Sequence, residues 1–560
     1  MNHREITVWL EGQVVPRNLQ LLTASIVLAA NKIAHARLVY QDGDAATGKF
    51  EVLDTGIFEH GKKLEIKADD SPRDLPLFAG IIVTQQIKLR ENKSSILIIT
   101  CKHPAVTMSL AKKGRYFEDL TDKDLLEELF SEHSINAQVE AIENIKHKQL
   151  VQFESTDWEF CLNRAQAAGL VIYTKGEKIC IMPPTLNSDA VLDLTFGATL
   201  LSADIKSDAR TQTSGLEAMR WDASNQDVTQ FSSQIQIEQS PGTTSAGSLS
   251  KAMGEPEHVL RKPTQSDEET QRLVNATATL NAINRVSGTL KTLGVETIFP
   301  GDIVNLSGLS KAFNGKALVT GLRHEIDTVL GWRTYYQVGG LSMPQIPSTQ
   351  NLAGLHIGIV VDLEDPENEF RIKIKLPMLD NNSDGIWARV ASIDAGPDRG
   401  LFVRPEVNDE VIVGFVQSDM RSAMVLGMLH SSAHAPTEVQ EADNHIKTWV
   451  TRSGLALRFD DEQVAVTLSS PAGNIIEISE DESGISLKDQ NGNQYIMNDR
   501  GITLESARDL TISAAGDIEI NAGANLVLSA ASQLGAEGGT GASIESGAIT
   551  VVKGALVQIN

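Results

Sequence analysis

From Gly501 the chain reads GITLESARD, LTISAAGD, IEINAGAN, LVLSAASQ, so Ile502, Leu510, Ile518 and Leu526 recur every eight residues. Leu504, Ile512, Ile520 and Leu528 recur two places later, Ser506, Ala514, Ala522 and Ala530 hold a third register, and Asp509, Asp517 and Asn525 are read as turn residues. Residues i and i+2 of a strand share a face, so each octad is one short strand with one apolar side. One strand per unit cannot bury that side alone, and the units must stack. Two architectures satisfy the period: a single chain coiling as a solenoid with three octads per turn, or three intertwined chains, each supplying one side of every triangular turn. The spacing does not choose between them. Residues 451–560 hold 6 Lys and Arg against 15 Asp and Glu, and their aromatics are Phe459 and Tyr495. The core is therefore thin and aliphatic, which fits a narrow prism and not a broad cleft. Upstream, Val464, Val466, Leu468 and Ile475, Ile476, Ile478, separated by SSPAGN and EDESG, read as wider strands leading into the needle.

At 560 residues the chain is too long for one core, since single cores stop growing near ~250–300 residues. The net charge of −24 repels nucleic acid and anionic headgroups unless a local patch reverses the sign, so nucleic acid is not an expected partner. The longest apolar stretch, 19–30, is broken by Gln20, Thr23 and Ser25, so no membrane span is expected, and MNHREITVWLEG lacks the pattern of a signal peptide. Cys101, Cys161 and Cys180 match no zinc or redox spacing, and an odd count argues against a disulfide framework. Synthesis in a reducing cytoplasm follows.

The first 350 residues read as strands with a few helices. Thr121 caps the helix of TDKDLLEELF, with Leu125, Leu126, Leu129 and Phe130 on one face. A second helix starts near Ser155, buries Trp158, Leu162 and Ala165, and ends at Gly169 before a strand over 170–173. A third, over 268–286, is mostly small and polar and is expected to end at Gly288. Residues 211–262 turn polar around SPGTTSAGS and read as a long exposed, flexible arm. The segment 342–354 is the best domain boundary. Beyond it, Phe370, Ile372, Ile374 and Leu376 alternate with Arg371, Lys373 and Lys375, and further short strands near 387–390, 401–403, 410–416 and 424–429 suit a small closed barrel.

Four pieces, in order, resemble the VgrG-type spike proteins of contractile injection systems, equivalent to a fused hub and spike of a phage tail. They are DWEFCLNRAQAAGL (157–170), the PGD, NG, VTGLRHEI and WRT elements of 288–340, PEVNDEVIVGFVQSDMRSAMVLGMLH (405–430), and the SPAGN, DQNGN and octad run. The resemblance implies a mainly β fold with a few helices: two tandem barrel-like hub domains over 1–350 with helical insertions and the 211–262 arm, an OB-fold barrel over 355–432, and neck strands with a triple-stranded β-helix needle shared by three chains over 433–560. It implies a homotrimer bound to inner-tube and baseplate proteins at the hub, assembled in the baseplate of an injection particle, delivered outward on contraction, and touching the target membrane only in passing. A PAAR-type tip protein is expected on Val557, Gln558, Ile559 and Asn560, with effector cargo as a further rider. The needle core is expected to be Ile502, Leu504, Leu510, Ile512, Ile518, Ile520, Leu526 and Leu528. Since His430 runs into the needle within ~20 residues and the sequence stops at Asn560, no fused effector domain is expected.

No catalytic, cofactor or metal residue is assigned. His103, His324, His356 and His430 stand singly in strand contexts. Asp460, Asp461 and Glu462 could supply an acid and a base for glycoside cleavage, as in a tailspike, but a solvated turn is the plainer reading without aromatic platforms for a sugar. Arg371, Lys373 and Lys375 read as a solvated strand face, GGTG lacks the Lys-Ser/Thr of a phosphate loop, and DQNGN lacks the ligands of a calcium loop. The competing reading is a tailspike hydrolase or adhesin, and a third is a monomeric solenoid scaffold.

Overall fold

A computed structural model describes residues 5–69, 75–91, 94–140, 145–233, 241–261, 264–341, 354–380, 384–481 and 484–559. Most of the 342–354 boundary therefore lies outside the described residues, as does Asn560. The chain divides into two units, Met1–Ser431 and Ser432–Asn560.

In the first unit one 13-stranded sheet carries the main core. Leu21–Ala29 shows why the long apolar stretch is a strand. Ala24, Ile26 and Leu28 face inward and are buried, while Thr23 and Ser25 fall on the other side. This strand pairs with His35–Gln41 on one edge and on the other with Gly315–Asp327, Leu322 opposite Leu28 and His324 opposite Ile26. The sheet thus joins the N-terminal strands to Val286–Leu293, Ile303–Ser307 and Gly331–Val338, and both halves share one cluster containing Ile26, Ile66, Ile99, Val304, Leu322 and Tyr336.

A second cluster lies under two helices. Asp122–Glu132 is opened by a capping box between Thr121 and Asp124, and it buries Leu125, Leu126, Leu129 and Phe130. Asp157–Ala167 has the same device between Thr156 and Glu159 and buries Trp158, Leu162 and Ala165, with Gly169 at φ +73° beyond its end. The strand after it is Val171–Lys175.

Four sequence expectations need correction, the last of them in the barrel. The third helix is Asp267–Ile283, capped by Asn284; Val286 already belongs to the next strand, and Gly288 lies within that strand. Glycine is needed there because an added side chain would meet the Asp204 carbonyl oxygen at 2.2 Å. The 211–262 stretch has regular structure: Gly215–Asp222 pairs with Asp227–Ser232 and with Glu257–Leu260, and Ala246–Ala252 is helical. Ala218 and Leu260 cluster with Val274 of the 267–283 helix, so the polar stretch packs through a few small apolar contacts. Phe370 is 75% exposed and precedes the barrel strand instead of entering it, because its φ of +57° breaks the extended backbone.

The barrel itself is closed by five strands, His356–Asp362, Ile372–Lys375, Ile386–Val390, Ala423–Met428 and Glu410–Phe415. Ile372 and Ile374 are buried with Val360, Val411, Val413 and Val425. The stretch 401–403 is not a strand; Ala395–Gly396 and Arg399–Gly400 form a small ladder just before it.

The second unit is a seven-stranded antiparallel meander from Ile446–Val450 to Gly501–Glu505, each strand pairing with the next. Between 432 and 559 the buried described residues are Asp460, Ala465, Ser479 and Ser486, so just one of them is apolar. Among the described residues no helix is long and apolar enough to cross a membrane.

Candidate functional site

The first unit contains a buried ionic junction that ties the helices of residues 122–132, 157–167 and 267–283 to the barrel. Asp122, the first residue inside its helix, turns inward: its Oδ1 accepts from Arg164 Nε at 2.8 Å, and its Oδ2 accepts from Arg272 Nη2 at 2.7 Å and lies 3.0 Å from His147 Nε2. Burial alone would raise this carboxyl, but the Arg164 and Arg272 charges and the His147 hydrogen bond hold it well below the usual carboxylate range. One turn before Arg272, Glu269 accepts from Arg421 Nη1 at 2.9 Å, and Arg421 also donates to Asp419 at 2.9 Å. Arg421 lies in the loop between the barrel's last two strands, so the 267–283 helix grips the barrel by charge.

A neighbouring antiparallel strand pair, Lys112–Thr121 with Lys146–Thr156, supplies further seats. Gln149 Nε2 donates to the Gly385 carbonyl at 2.8 Å, Lys148 pairs with Glu367, and Phe153 meets His356 edge-on at 5.8 Å between ring centres. At its base Asp157, 1% exposed, accepts from Lys113 at 2.6 Å and Arg115 at 2.9 Å and lies 2.8 Å from His133. Burial opposes ionisation of Asp157, but the Lys113, Gln152 and His133 hydrogen bonds and the Arg115 charge hold its pKa down to about 2. Sequence reasoning missed this junction. Its only local trace was the polar composition of the third helix, which buries Glu269, Thr270 and Arg272.

The residues weighed for chemistry fall apart spatially or are engaged locally. Asp460 Oδ1 accepts from Glu462 N and Gln463 N, both at 3.1 Å, and so closes its own turn; Asp461 pairs with Lys447. His103 Nδ1 accepts from Ala105 N at 3.2 Å and opens a short 3-10 turn, and His324 lies 3.2 Å from the Trp332 indole nitrogen and 3.0 Å from Thr334. His356 packs between Phe153 and Phe415, and His430 is exposed. Among the described residues no group of His, Cys, Asp and Glu could hold a metal ion. Burial pushes the Cys101 thiol up to about 12. Arg371 is engaged by Asp365 at 2.7 Å and Glu367 at 2.9 Å, and it lies over the Trp387 ring. Asp489 accepts from the backbones of Asn491 and Asn493, each at 2.8 Å, so DQNGN is a tight turn.

The octads form the other candidate site. After Glu505 no strand continues, yet the chain bends at 507–508, 515–516, 523–524, 531–532, 539–540, 547–548 and 555–556, a spacing of eight throughout. The bends fall on small pairs such as Ala515-Gly516 and Gly523-Ala524, just before the Asp and Asn expected to make them. The residues assigned to the needle core are all exposed in the single chain: Ile502 68%, Leu504 53%, Leu510 55%, Ile512 67%, Ile518 55%, Ile520 65%, Leu526 56% and Leu528 66%. Val557, Gln558 and Ile559 are exposed too. An apolar concavity of about 740 Å³ runs along the meander onto the octads, lined by Leu468, Ile476, Leu487, Tyr495, Leu504 and Leu510.

Comparison with known proteins places these features. No curated protein matches the sequence. A chain of the half-lidded Francisella PdpA-VgrG complex superposes with a TM-score of 0.54 at 10% identity, covering 90% of this chain and 88% of that one. A chain of the lidless PdpA-VgrG complex gives the same score and identity over 90% and 99%. The E. coli c3393 protein, described as a component of the type VI secretion system with similarity to the T4 tail proteins gp27 and gp5, aligns at 0.46 and 10% identity over 75% and 99%. The family model of the type VI secretion system/phage-baseplate injector OB domain matches residues 356–430, which are the closed barrel. The Alg8 N-terminal domain model matches residues 2–328, more than half of the sequence, and so the chain belongs to that family and carries the fold of a VgrG-type spike protein.

Proposed function

We propose that three copies of this chain assemble into the central spike of a contractile injection baseplate. Residues 1–350 form the hub as two tandem barrel-like domains facing the inner tube, 355–432 the OB barrel, and 433–560 the neck and a needle wound from three chains. Ile502, Leu504, Leu510, Ile512, Ile518, Ile520, Leu526 and Leu528 line the shared axis. The observation that carries this reading is the set of seven bends at eight-residue spacing with the apolar side chains between them uncovered. A Leu or Ile gains ~1.5–3 kcal/mol on full burial, so a lone chain forgoes a large stabilisation that lateral copies restore. The meander's concavity is continuous with the same stripe, which supports one partner face along the whole unit.

The protein acts mechanically and not as an enzyme. The work comes from a contracting sheath, and this chain contributes stiffness, since three chains sharing their edges leave no backbone ladder open. The buried Asp122 and Glu269 junction supports that role by fixing the barrel to the hub. A PAAR-type tip protein seated at Val557 to Asn560 and a cargo protein complete the assembly, the latter supported by a relative solved in complex with PdpA. Assembly takes place in the cytoplasm, and the particle carries the spike outward. Native mass or light scattering of the purified chain tests the reading: three copies are expected, and a folded, soluble monomer would replace the trimer with a single-chain solenoid.

A further inference from the structure

The 13-stranded sheet turns one face to its core and the other away from it. Leu290, Tyr336, Leu322, Ile26, Leu38 and Ile99 face the core on six neighbouring strands, from Val286–Leu293 at one end to Ile96–Lys102 at the other. Side chains alternate across a strand, so the residues between them form the outer face. Where the six strands run side by side, the Lys and Arg on that face are Lys291, Arg333, Arg323, Arg37 and Lys102, and its acids are Glu325 and Asp327. A chain with 73 Asp and Glu against 49 Lys and Arg thus carries a sheet face of the opposite sign.

Both acids are engaged locally. Glu325 pairs with Arg323 at 3.3 Å, and Asp327 accepts from the Val329 and Leu330 backbones at 2.7 and 2.6 Å, closing the turn before the Gly331–Val338 strand. Among the described residues Arg37, Lys102, Lys291 and Arg333 enter no salt bridge. Lys291 and Arg323 crowd the Tyr335 ring from the two neighbouring strands, at 5.1 and 4.5 Å from its centre. His35 lies opposite Lys102, and burial and the Lys102 charge lower its pKa. Like charges gathered on one sheet face cost stability unless an anion meets them. The cations also have an apolar border: Leu293, opposite Arg333 on the same face, is 55% exposed, and Val329 and Leu330 in the turn are 87% and 59% exposed.

We infer that this outer sheet face docks an acidic protein segment, whose carboxylates meet Arg37, Lys102, Lys291, Arg323 and Arg333 while its apolar side chains cover Leu293 and Leu330. A nucleic acid fits worse on three counts. The one aromatic ring among the cations, Tyr335, is already occupied by Lys291 and Arg323, so no base finds a stacking platform. Six strands span about 24 Å, and a duplex of that length brings on the order of 14 phosphate charges against five cations and continues over acidic surface on either side. The exposed Leu293, Val329 and Leu330 offer a phosphate backbone nothing, whereas apolar contact beside charge-assisted hydrogen bonds to arginine is the common make-up of a protein interface. The face lies within one chain, so the inference goes beyond the spike reading and does not depend on three copies.

The test uses the full chain, sized by light scattering and titrated into three fluorescent probes: a short peptide of repeated Glu-Glu-Leu, its Lys-Lys-Leu counterpart and a short DNA duplex. Fluorescence anisotropy should show binding of the acidic peptide that weakens as salt is raised, and none of the basic one. Arg323→Glu combined with Arg333→Glu should weaken the acidic peptide by about tenfold or more. Arg37→Gln combined with Lys102→Gln removes charge without reversing it and decides the matter if the reversed pair fails to fold; a loss of about threefold is expected. Leu330→Asn should weaken the peptide by a similar factor at low and at high salt alike, the mark of an apolar contact. A wild-type chain that ignores the acidic peptide, as expected if another copy covers the face, overturns the inference, and so does undiminished binding by a folded charge variant. A duplex bound as tightly as the peptide would hand the face to nucleic acid and overturn it too. A monomer in light scattering brings down the three-chain needle alone, and the titration still decides the sheet face.

Discussion

The two units treat the same kind of side chain in opposite ways. In residues 1–431 Ile26, Ile66, Ile99 and Val304 are essentially inaccessible, because strands from distant parts of the sequence close over them. In the octads Ile512 and Ile520 stay about two-thirds exposed, at 67% and 65%, although they recur at a strict eight-residue spacing. Regular patterning therefore specifies a face but not what covers it. Residues 1–431 find the cover within the chain, and the proposed needle would find it in other copies.

The sharpest way to break this contrast is to charge one face of the needle. Ile512→Asp would bring three carboxylates together on the shared axis, each desolvated at a cost of several kcal/mol and each repelling the others. Assembly should fail. Ser513→Asp places the same charge at the same height on the outer face and should change stability by no more than about 0.5 kcal/mol. Resistance of the trimer to detergent on a gel separates the two, and equal behaviour would overturn the octad register.

In the first unit the comparable injury is ionic. Asp122→Ala leaves Arg164 and Arg272 buried without their carboxylate, a loss of about 3–5 kcal/mol in urea unfolding. Detergent resistance of the needle should not change, because nothing in the octads depends on that charge. A smaller, pH-dependent effect follows from two further groups. Burial lowers the His324 pKa to about 4, so the unfolded chain takes up the proton first and stability falls as the pH drops from about 6.5 towards 4. Asp157, held at about 2, contributes stability that is present above about pH 4 and is lost between about pH 4 and 2, roughly 2 kcal/mol in all. Near-ultraviolet dichroism of the hub aromatics should follow both windows, and Asp157→Asn should remove the lower one.

Local signals in the sequence were the most legible. Thr121 and Thr156 are caps because their side chains meet the backbone three residues on, and Ile372 and Ile374 are core because alternation puts them on one face. The octad spacing returned as bends at the same period. What stayed hidden was set by partners far along the chain. Arg272 is 150 residues from Asp122 and Arg421 is 152 from Glu269, and no pattern in either segment announces the pairing. The end of the third helix was misplaced because Val286 continues the apolar spacing of the helix while its backbone is already paired as a strand with Ser207. The polar stretch around 211–262 looked unstructured because its sheet packs through a few small apolar contacts, centred on Ala218 and Leu260.

The smallest expected effect concerns the acidic turn in the meander, where the two units can be compared through one residue type. Asp122 in the first unit is buried among cations, whereas Asp461 is exposed and pairs with Lys447, itself about half exposed at 49%. The Lys447 hydrogen bond and charge lower the Asp461 pKa, but solvent screens such an exposed pair, so it adds little to stability. Asp461→Ala should therefore be nearly silent in unfolding. Asp460→Ala should cost more, about 1 kcal/mol, because it removes the acceptor of two backbone N–H groups that closes the turn. Neither change, nor Glu462→Ala, should alter trimer assembly, and the wild-type protein should release no reducing sugar from bacterial polysaccharide. Measurable hydrolysis that disappears with these three substitutions would turn the spike into a tailspike enzyme; silence across the series keeps the acidic turn a piece of β-hairpin geometry whose one buried carboxylate serves the backbone.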